Sequence, residues 1–324
     1  MADGSLRLRR RRALVRRRPS DPRPVAGRQR VTGRRRIARC RPLQPGCSAD
    51  PGRRGFRAGC QRLSGTVASM DLGLAGLRAL VGGGSSGLGA AIGTSLAADG
   101  VRVALTARPS ERLDEQAAAI GALAVGADLS TPDGPSSAVD TTADALGGLD
   151  LLVVNSGGPP GGTFDELDEA AWEAAIDGVL RAALRLIRAG LPHLRSSEHP
   201  AILVVLSSSV REPIPSLTTS NVLRPGLAGL IKSLSAEIAP VRINGLAPGR
   251  IATPRVAHLD SLRSEATGRS VAEIQAESIA RIPLGHYGDP ADVGRIGAFL
   301  LSPAASFITG AIVPVDGGMI RALP

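Results

Sequence analysis

Leu77-Arg78-Ala79-Leu80-Val81-Gly82-Gly83-Gly84-Ser85-Ser86-Gly87-Leu88-Gly89 passes from an apolar run into a glycine-rich turn, and a helical pattern follows over residues 87–98. Glycines at 83, 87 and 89 give the spacing GxxxGxG between a strand and a helix. In such a turn one glycine permits the tight bend. A second lets the backbone approach a pyrophosphate, and a third allows close helix–strand packing. The first turn of the helix presents free N–H groups and a partial positive charge to the phosphates. The stretch reads as a dinucleotide loop, with Gly83, Ser85, Ser86, Gly87, Leu88 and Gly89 as candidate contacts.

Outward from this loop, short apolar runs alternate with helical patterns. Leu77–Gly82, Val101–Thr106, Ala122–Gly126, Leu149–Asn155, Ala201–Ser207, Arg242–Ala247 and Ala311–Val315 read as strands. Helices are expected near 109–120, 134–146, 168–190, 220–238 and 290–301. In the 168–190 segment, Trp172, Ile176, Val179, Leu180, Ala183 and Ile187 follow the helical period, and Asp168 is placed to cap it. Strands that are apolar on both faces belong in a parallel sheet covered by helices on both sides. The expected fold is α/β: a Rossmann-type, doubly wound parallel sheet of about seven strands forming one domain over 70–324. Its ligands would lie beyond the carboxyl ends of the strands.

The end of the second strand bears on the cofactor. An acid there would bond the ribose 2′-hydroxyl of NAD. The chain instead has Leu105-Thr106-Ala107-Arg108, and Arg108 is suited to a 2′-phosphate, so NADP(H) is expected over NAD(H). The competing reading of Arg108 is a solvated residue at a helix start.

Composition narrows the function classes. The formal charge of +10 is unevenly spread. Residues 1–69 hold 20 Arg against three acids, which leaves that stretch near +17 and the remainder near −7. The folding part therefore lacks the basic surface that nucleic acid requires, and nucleic acid is not an expected partner. Like charges, six prolines and eight glycines keep 1–69 from burying a core, so it reads as a disordered tail, with Met70 as the expected start of the domain. An arginine-rich arm for nucleic acid and a targeting peptide are the other readings of that tail. All three cysteines (Cys40, Cys47, Cys60) lie within it, which excludes a disulfide framework for the domain. No apolar run is long enough for a bilayer, and a cytoplasmic protein acting on a small molecule is expected.

With these residues in hand, 70–324 resembles the short-chain dehydrogenase/reductase family, and the nearest likeness is to 3-oxoacyl-carrier-protein reductase-like members. Gly83-x-x-x-Gly87-x-Gly89 resembles its cofactor loop, and Ala127-Asp128-Leu129 its adenine-contacting segment. Asn155 and Gly157 stand within Val154-Asn155-Ser156-Gly157, where the family has Asn-Asn-Ala-Gly. Pro248-Gly249-Arg250-Ile251-Ala252-Thr253 is similar to the turn beside the nicotinamide, and Ile282–Pro290 and Phe307–Gly318 to the C-terminal signature. The resemblance implies cofactor contacts from Asp128, Leu129, Asn155, Gly157, Pro248, Gly249 and Thr253. It also implies a homo-oligomer, dimer or tetramer, paired through helices 168–190 and 220–238.

The resemblance breaks at the proton-transfer residues. Such enzymes use a Tyr as general acid, a Lys four residues on that lowers its pKa, a Ser thirteen residues before it, and an Asn on the preceding long helix. Here Ser220 falls at the Tyr position, Arg224 at the Lys position and Val179 at the Asn position; only Ser207 is kept. The chain contains a single Tyr, Tyr287, and a single Lys, Lys232, and they cannot form Tyr-x-x-x-Lys. Ser207, Ser220 and Arg224 remain as candidate catalytic residues, a clamp of donors around a carbonyl oxygen with water delivering the proton. Arg cannot itself serve as the acid. The alternative is a catalytically silent dinucleotide-binding protein, with Ser220 a mere helix cap. Polar residues over Pro254–Ile282, among them Arg255, His258 and Asp260, suit a surface helix as well as a substrate lid.

Overall fold

The computed structural model describes residues 71–322. The expectations for the arginine-rich tail, its cysteines and a start at Met70 lie outside the described residues. Seven parallel strands form one sheet: β1 (Arg78–Gly82), β2 (Arg102–Ala107), β3 (Leu123–Gly126), β4 (Leu151–Val154), β5 (Ala201–Val205), β6 (Arg242–Pro248) and β7 (Ile312–Val315). Their order is β3-β2-β1-β4-β5-β6-β7. The chain winds outward in one direction from β1 and in the other from β4, so the two neighbours define the switch point. Crossover loops diverge there and leave a crevice at the carboxyl ends.

The alternation of side chains along each strand explains the two layers. Leu80, Leu152, Ile202 and Val204 enter one apolar cluster with Leu186, Ile187, Leu223, Leu227 and Ile231. Those helical residues come from α5 (Ala182–Leu194) and α6 (Thr218–Glu237). Ala79, Val81, Val103, Leu105, Leu151 and Val153 enter the other, with Ile92, Leu96, Val293 and Leu301. These come from α1 (Gly87–Ala98) and α9 (Pro290–Leu301). Further helices are α2 (Glu111–Ala119), α3 (Gly134–Leu146), α4 (Glu169–Ala175), α7 (Pro254–Thr267) and α8 (Val271–Ala280).

The expected 168–190 helix is present, with Asp168 capping it through a 2.8 Å bond from Ala171 N. It is interrupted, however, by a π-turn over Ile176–Arg181 that holds Val179. One expectation needs correction. Ser220 does not cap α6, which begins earlier at Thr218 and leaves Ser220 buried inside the first turn. The Pro254–Ile282 segment forms two largely exposed helices, and Asp260, the one buried residue of α7, is bonded to Arg250 at 2.7 Å. Among the described residues no helix is long and apolar enough to cross a membrane.

The opposite end of the sheet is tied by polar contacts. The buried Asp150 carboxylate accepts from Arg78 Nη2 and Arg78 Nε, both at 2.8 Å, and from Ser197 Oγ at 2.6 Å. This clamp joins the amino ends of β1 and β4, away from the crevice. Burial pushes the Asp150 carboxyl upward, but the bonds from Arg78 and Ser197 outweigh it and hold the pKa below its usual value.

Candidate functional site

A cleft of about 1010 Å³ lies at the carboxyl ends of β1, β4, β5 and β6. At one end is the glycine loop. Gly83 and Gly87 have φ of +60° and +59°, a left-handed conformation that a side chain would strain. Gly83, Ser85, Ser86, Gly87 and Leu88 line the cleft, whereas Gly89 does not. A Cβ on Gly89 would collide with the carbonyl oxygens of Gly82 and Gly83. Gly89 therefore serves helix–strand packing, one of the roles expected of the motif's glycines. Ser86 precedes α1 without a side-chain cap bond, so the first N–H groups of the helix stay unblocked toward the cleft.

Arg108 lines the cleft beyond β2, and Asp128 and Leu129 line it beyond β3. Asp128 Oδ1 accepts from Ser130 N at 2.9 Å and Ser130 Oγ at 2.7 Å. Those bonds hold its pKa low, and the nearby Arg108 charge adds to the effect. Asn155 and Gly157 line the floor past β4. Asn155 Nδ2 donates to Gly82 O at 3.1 Å, which bridges the switch point. A Cβ on Gly157 would meet no atom within 4 Å, so the backbone there borders open space.

Pro248, Gly249 and Thr253 line the wall that follows β6. Thr253 caps α7, its Oγ1 accepting from Val256 N at 3.4 Å. Its side chain faces the glycine loop, 3.8 Å from where a Gly87 Cβ would stand. The two walls thus approach each other across the cleft.

The other end holds Ser207, Ser220 and Arg224, all lining the cleft. Ser207 Oγ accepts from Ser209 N at 3.1 Å at the start of a 3₁₀ turn, Ser208–Val210, so its own proton is uncommitted. Ser220 Oγ lies 3.2 Å from Ser209 Oγ, and both residues are buried. Ser209 is a partner that motif spacing missed, although it stands in the Ser207-Ser208-Ser209 run. Arg224 is 8% exposed. Its Nη1 donates to Val205 O, and its Nε has no partner among the described residues. Burial, and secondly the charge of Arg255, pulls its pKa down to about 10. Val179 lies in the wall beside them, supplied by the π-turn.

The segment after β6 contributes more than expected. Arg250, Arg255 and Arg263 line the cleft, while His258 is exposed and does not line it. Tyr287 is likewise away from the cleft lining, and its hydroxyl donates to Asp260 Oδ2 at 3.0 Å. Burial, with Asp260 adding, raises the Tyr287 pKa above its ordinary value, the wrong direction for a general acid near neutrality. No cluster of side chains fit to hold a metal occurs among the described residues.

Comparison with known proteins agrees with this geometry. A family model described as enoyl-(acyl carrier protein) reductase matches residues 83–320. The cis-4-hydroxycyclohexanecarboxylate dehydrogenase of Sinomonas cyclohexanicum is 34% identical over 250 residues, covering 74% of this chain and 95% of its own. The L-sorbose reductase of Gluconobacter frateurii, solved with NADPH and L-sorbose, superposes with a TM-score of 0.74 at 29% identity, covering 78% of this chain and 100% of its own. An NADPH-bound short-chain oxidoreductase of Pseudomonas aeruginosa PAO1, described as containing an atypical catalytic center, gives a TM-score of 0.69 at 30% identity over 76% of this chain and 98% of its own. The sheet order, the glycine loop at the switch point and these matches together make the chain a member of the short-chain dehydrogenase/reductase family.

Proposed function

We propose that the domain over 70–324 is an NADP(H)-dependent oxidoreductase that interconverts a carbonyl and an alcohol by a proton route without Tyr or Lys. The observation that carries this reading is the continuity of the cleft, from the open glycine loop and Arg108 to Ser207, Ser220 and Arg224. The cofactor end fits a phosphorylated dinucleotide. Gly83 and Gly87 keep the loop free of side chains, uncapped N–H groups of α1 face it, and Arg108 supplies a cation where an acid would favour NAD. Ser85, Ser86 and Leu88 would complete the loop. Asp128 and Leu129 would border the adenine, and Asn155, Gly157, Pro248, Gly249 and Thr253 the ribose and nicotinamide. NADPH, when bound, supplies the hydride for the carbonyl carbon.

The chain's own residues hold the carbonyl oxygen. Ser207 has a free hydroxyl proton to donate, and Ser220 can donate once Ser209 turns its own hydroxyl toward the Ser220 carbonyl, 3.4 Å away. Arg224 lends positive charge to the developing alkoxide in a water-poor corner. The proton comes from water, because Ser and Arg are poor acids near neutrality and Tyr287 is turned to Asp260. This reading puts the protein in an atypical group without Tyr-x-x-x-Lys; the Pseudomonas neighbour, 30% identical, is described as containing an atypical catalytic center. Leu184 on α5 and Val222 on α6 are exposed apolar residues on the helices expected to pair subunits, which supports a homo-oligomer. A cytoplasmic setting follows the same reading.

The test uses the full chain, titrated with NADPH and NADH by cofactor fluorescence and then screened with NADPH against ketones, quinones and 3-oxoacyl thioesters. Preference for NADPH, reduced tenfold or more in Arg108→Glu, and turnover of at least one carbonyl are expected. Tight NADPH binding with no turnover would instead favour a silent dinucleotide-binding protein, and tighter NADH binding would overturn the cofactor assignment.

A further inference from the structure

We propose that Arg224 and Arg255 together form an anion site at the substrate end of the cleft, and that the substrate is a carbonyl or alcohol compound carrying a carboxylate. This inference rests on the oxidoreductase reading above and adds the substrate class to it, with Arg224, which gives only Nη1 to Val205 O, serving both the carbonyl oxygen and the carboxylate through its remaining N–H groups.

Arg224 is the first reason. A guanidinium that is 8% exposed, with an unpartnered Nε and no carboxylate among its bonds, is an uncompensated buried charge. Such a charge is costly unless something of opposite sign arrives. Arg255, itself exposed, lines the same cleft and adds a second positive charge that disfavours the charged form of Arg224. Both guanidiniums line the cleft, and neither bonds a carboxylate among the described residues.

The neighbouring charges do not resolve this. Arg250 is committed to Asp260 at 2.7 Å, and Arg263 to Glu277 at 2.5 Å. Of the two carboxylates lining the cleft, Asp128 is bonded to Ser130 on the Arg108 side, and Glu212 is exposed and bonds neither arginine among the described residues.

Arg255 is also held in place. Its Nη2 donates to Pro159 O at 2.8 Å, and Thr219 Oγ1 fixes the next carbonyl, that of Pro160, at 2.7 Å. A Cβ on residue 158 would lie 2.8 Å from Arg255 Nε and 3.0 Å from its Cζ, so Gly158 makes room for the guanidinium. Two guanidinium forks lining one cleft suit a carboxylate, which accepts paired N–H bonds. The cofactor phosphates have the glycine loop and Arg108 for themselves, which leaves this pair to the substrate.

The experiment is a calorimetric titration of the full chain, with and without saturating NADPH. The probes are cyclohexanecarboxylate and its uncharged isostere cyclohexanecarboxamide. The carboxylate is expected to bind at least tenfold more tightly than the amide, and 1 M salt should narrow the difference. Arg255→Gln and Arg224→Met should each abolish the preference, while Arg255→Gln still binds NADPH by fluorescence. Equal affinity for acid and amide, binding of neither, or a preference that survives in both variants would overturn the anion site. Failure of the unaltered protein to bind NADPH is a different result and counts against the oxidoreductase reading, since the acid is also titrated without cofactor.

Discussion

Replacing Arg224 by Met should stabilise the cofactor-free protein while removing its activity. Burial first and the charge of Arg255 second pull the Arg224 pKa from the ordinary arginine value down to about 10. At roughly 1.36 kcal/mol per unit, the charged guanidinium costs the folded state about 3 kcal/mol at neutral pH. The sign follows from proton counting. The folded pKa is the lower one, so from about 10 up to the ordinary arginine value the unfolded chain binds more protons and stability rises with pH. Below that window the whole penalty is present. Met has similar length and no charge, but it gives up the bond to Val205 O, which is worth about 1–2 kcal/mol when a buried carbonyl loses its donor. The net expectation is a gain of about 1–2 kcal/mol, or about 2–8 °C in Tm for a domain of this size. Urea denaturation and calorimetry of the apo forms measure it. Turnover, on whatever carbonyl the screen identifies, should fall at least 100-fold, as for loss of one group that stabilises a developing oxyanion. A variant less stable than the parent by more than about 1 kcal/mol would refute the claim that this charge is uncompensated.

Three further outcomes are expected. Gly89→Ala pushes a Cβ into the carbonyls of Gly82 and Gly83, so a loss of about 1–3 kcal/mol and weaker NADPH binding should follow; unchanged denaturation would count against that packing role. Tyr287→Phe removes the donor to Asp260 Oδ2, but Arg250 still pairs with Asp260, so Tm should drop by a few degrees, about 1 kcal/mol, with kcat nearly kept. Abolished turnover with intact folding would mean that Tyr287 is the acid after all. Asp150 has a depressed pKa, so its contribution is complete above the usual carboxylate value near ~3.9 and lost as pH falls through the lower folded value. Urea midpoints across that range should fall steeply in the parent and less so in Asp150→Asn.

Much of the molecule is readable in one dimension because its signals are local. Continuous apolar strands such as Leu151–Val154 mark a parallel sheet buried on both faces, and GxxxGxG between strand and helix marks the phosphate loop. The lack of Tyr-x-x-x-Lys is a matter of composition, since one Tyr and one Lys occur in the whole chain. Other features depend on residues that are distant in sequence. The position of Ser220 alone suggests a helix cap, but the approach of Ser209 across the turn makes it half of a buried hydroxyl pair. The 254–282 segment is largely exposed as its polar residues suggest, but Asp260 is buried beneath Arg250 and Tyr287, which its sequence position does not reveal. Gly89 belongs to the motif by its spacing, but only the fold shows that the carbonyls of Gly82 and Gly83 leave no room there for a side chain.

For this protein the sequence alone determined the layered sheet, the dinucleotide loop and the missing proton donor, because period, glycine spacing and residue counts act over short stretches or over none. Only the tertiary structure decided the electrostatics of the reacting end. The charge on Arg224 is a problem only because folding buries it and brings Arg255 beside it, and burial and convergence are properties of three dimensions.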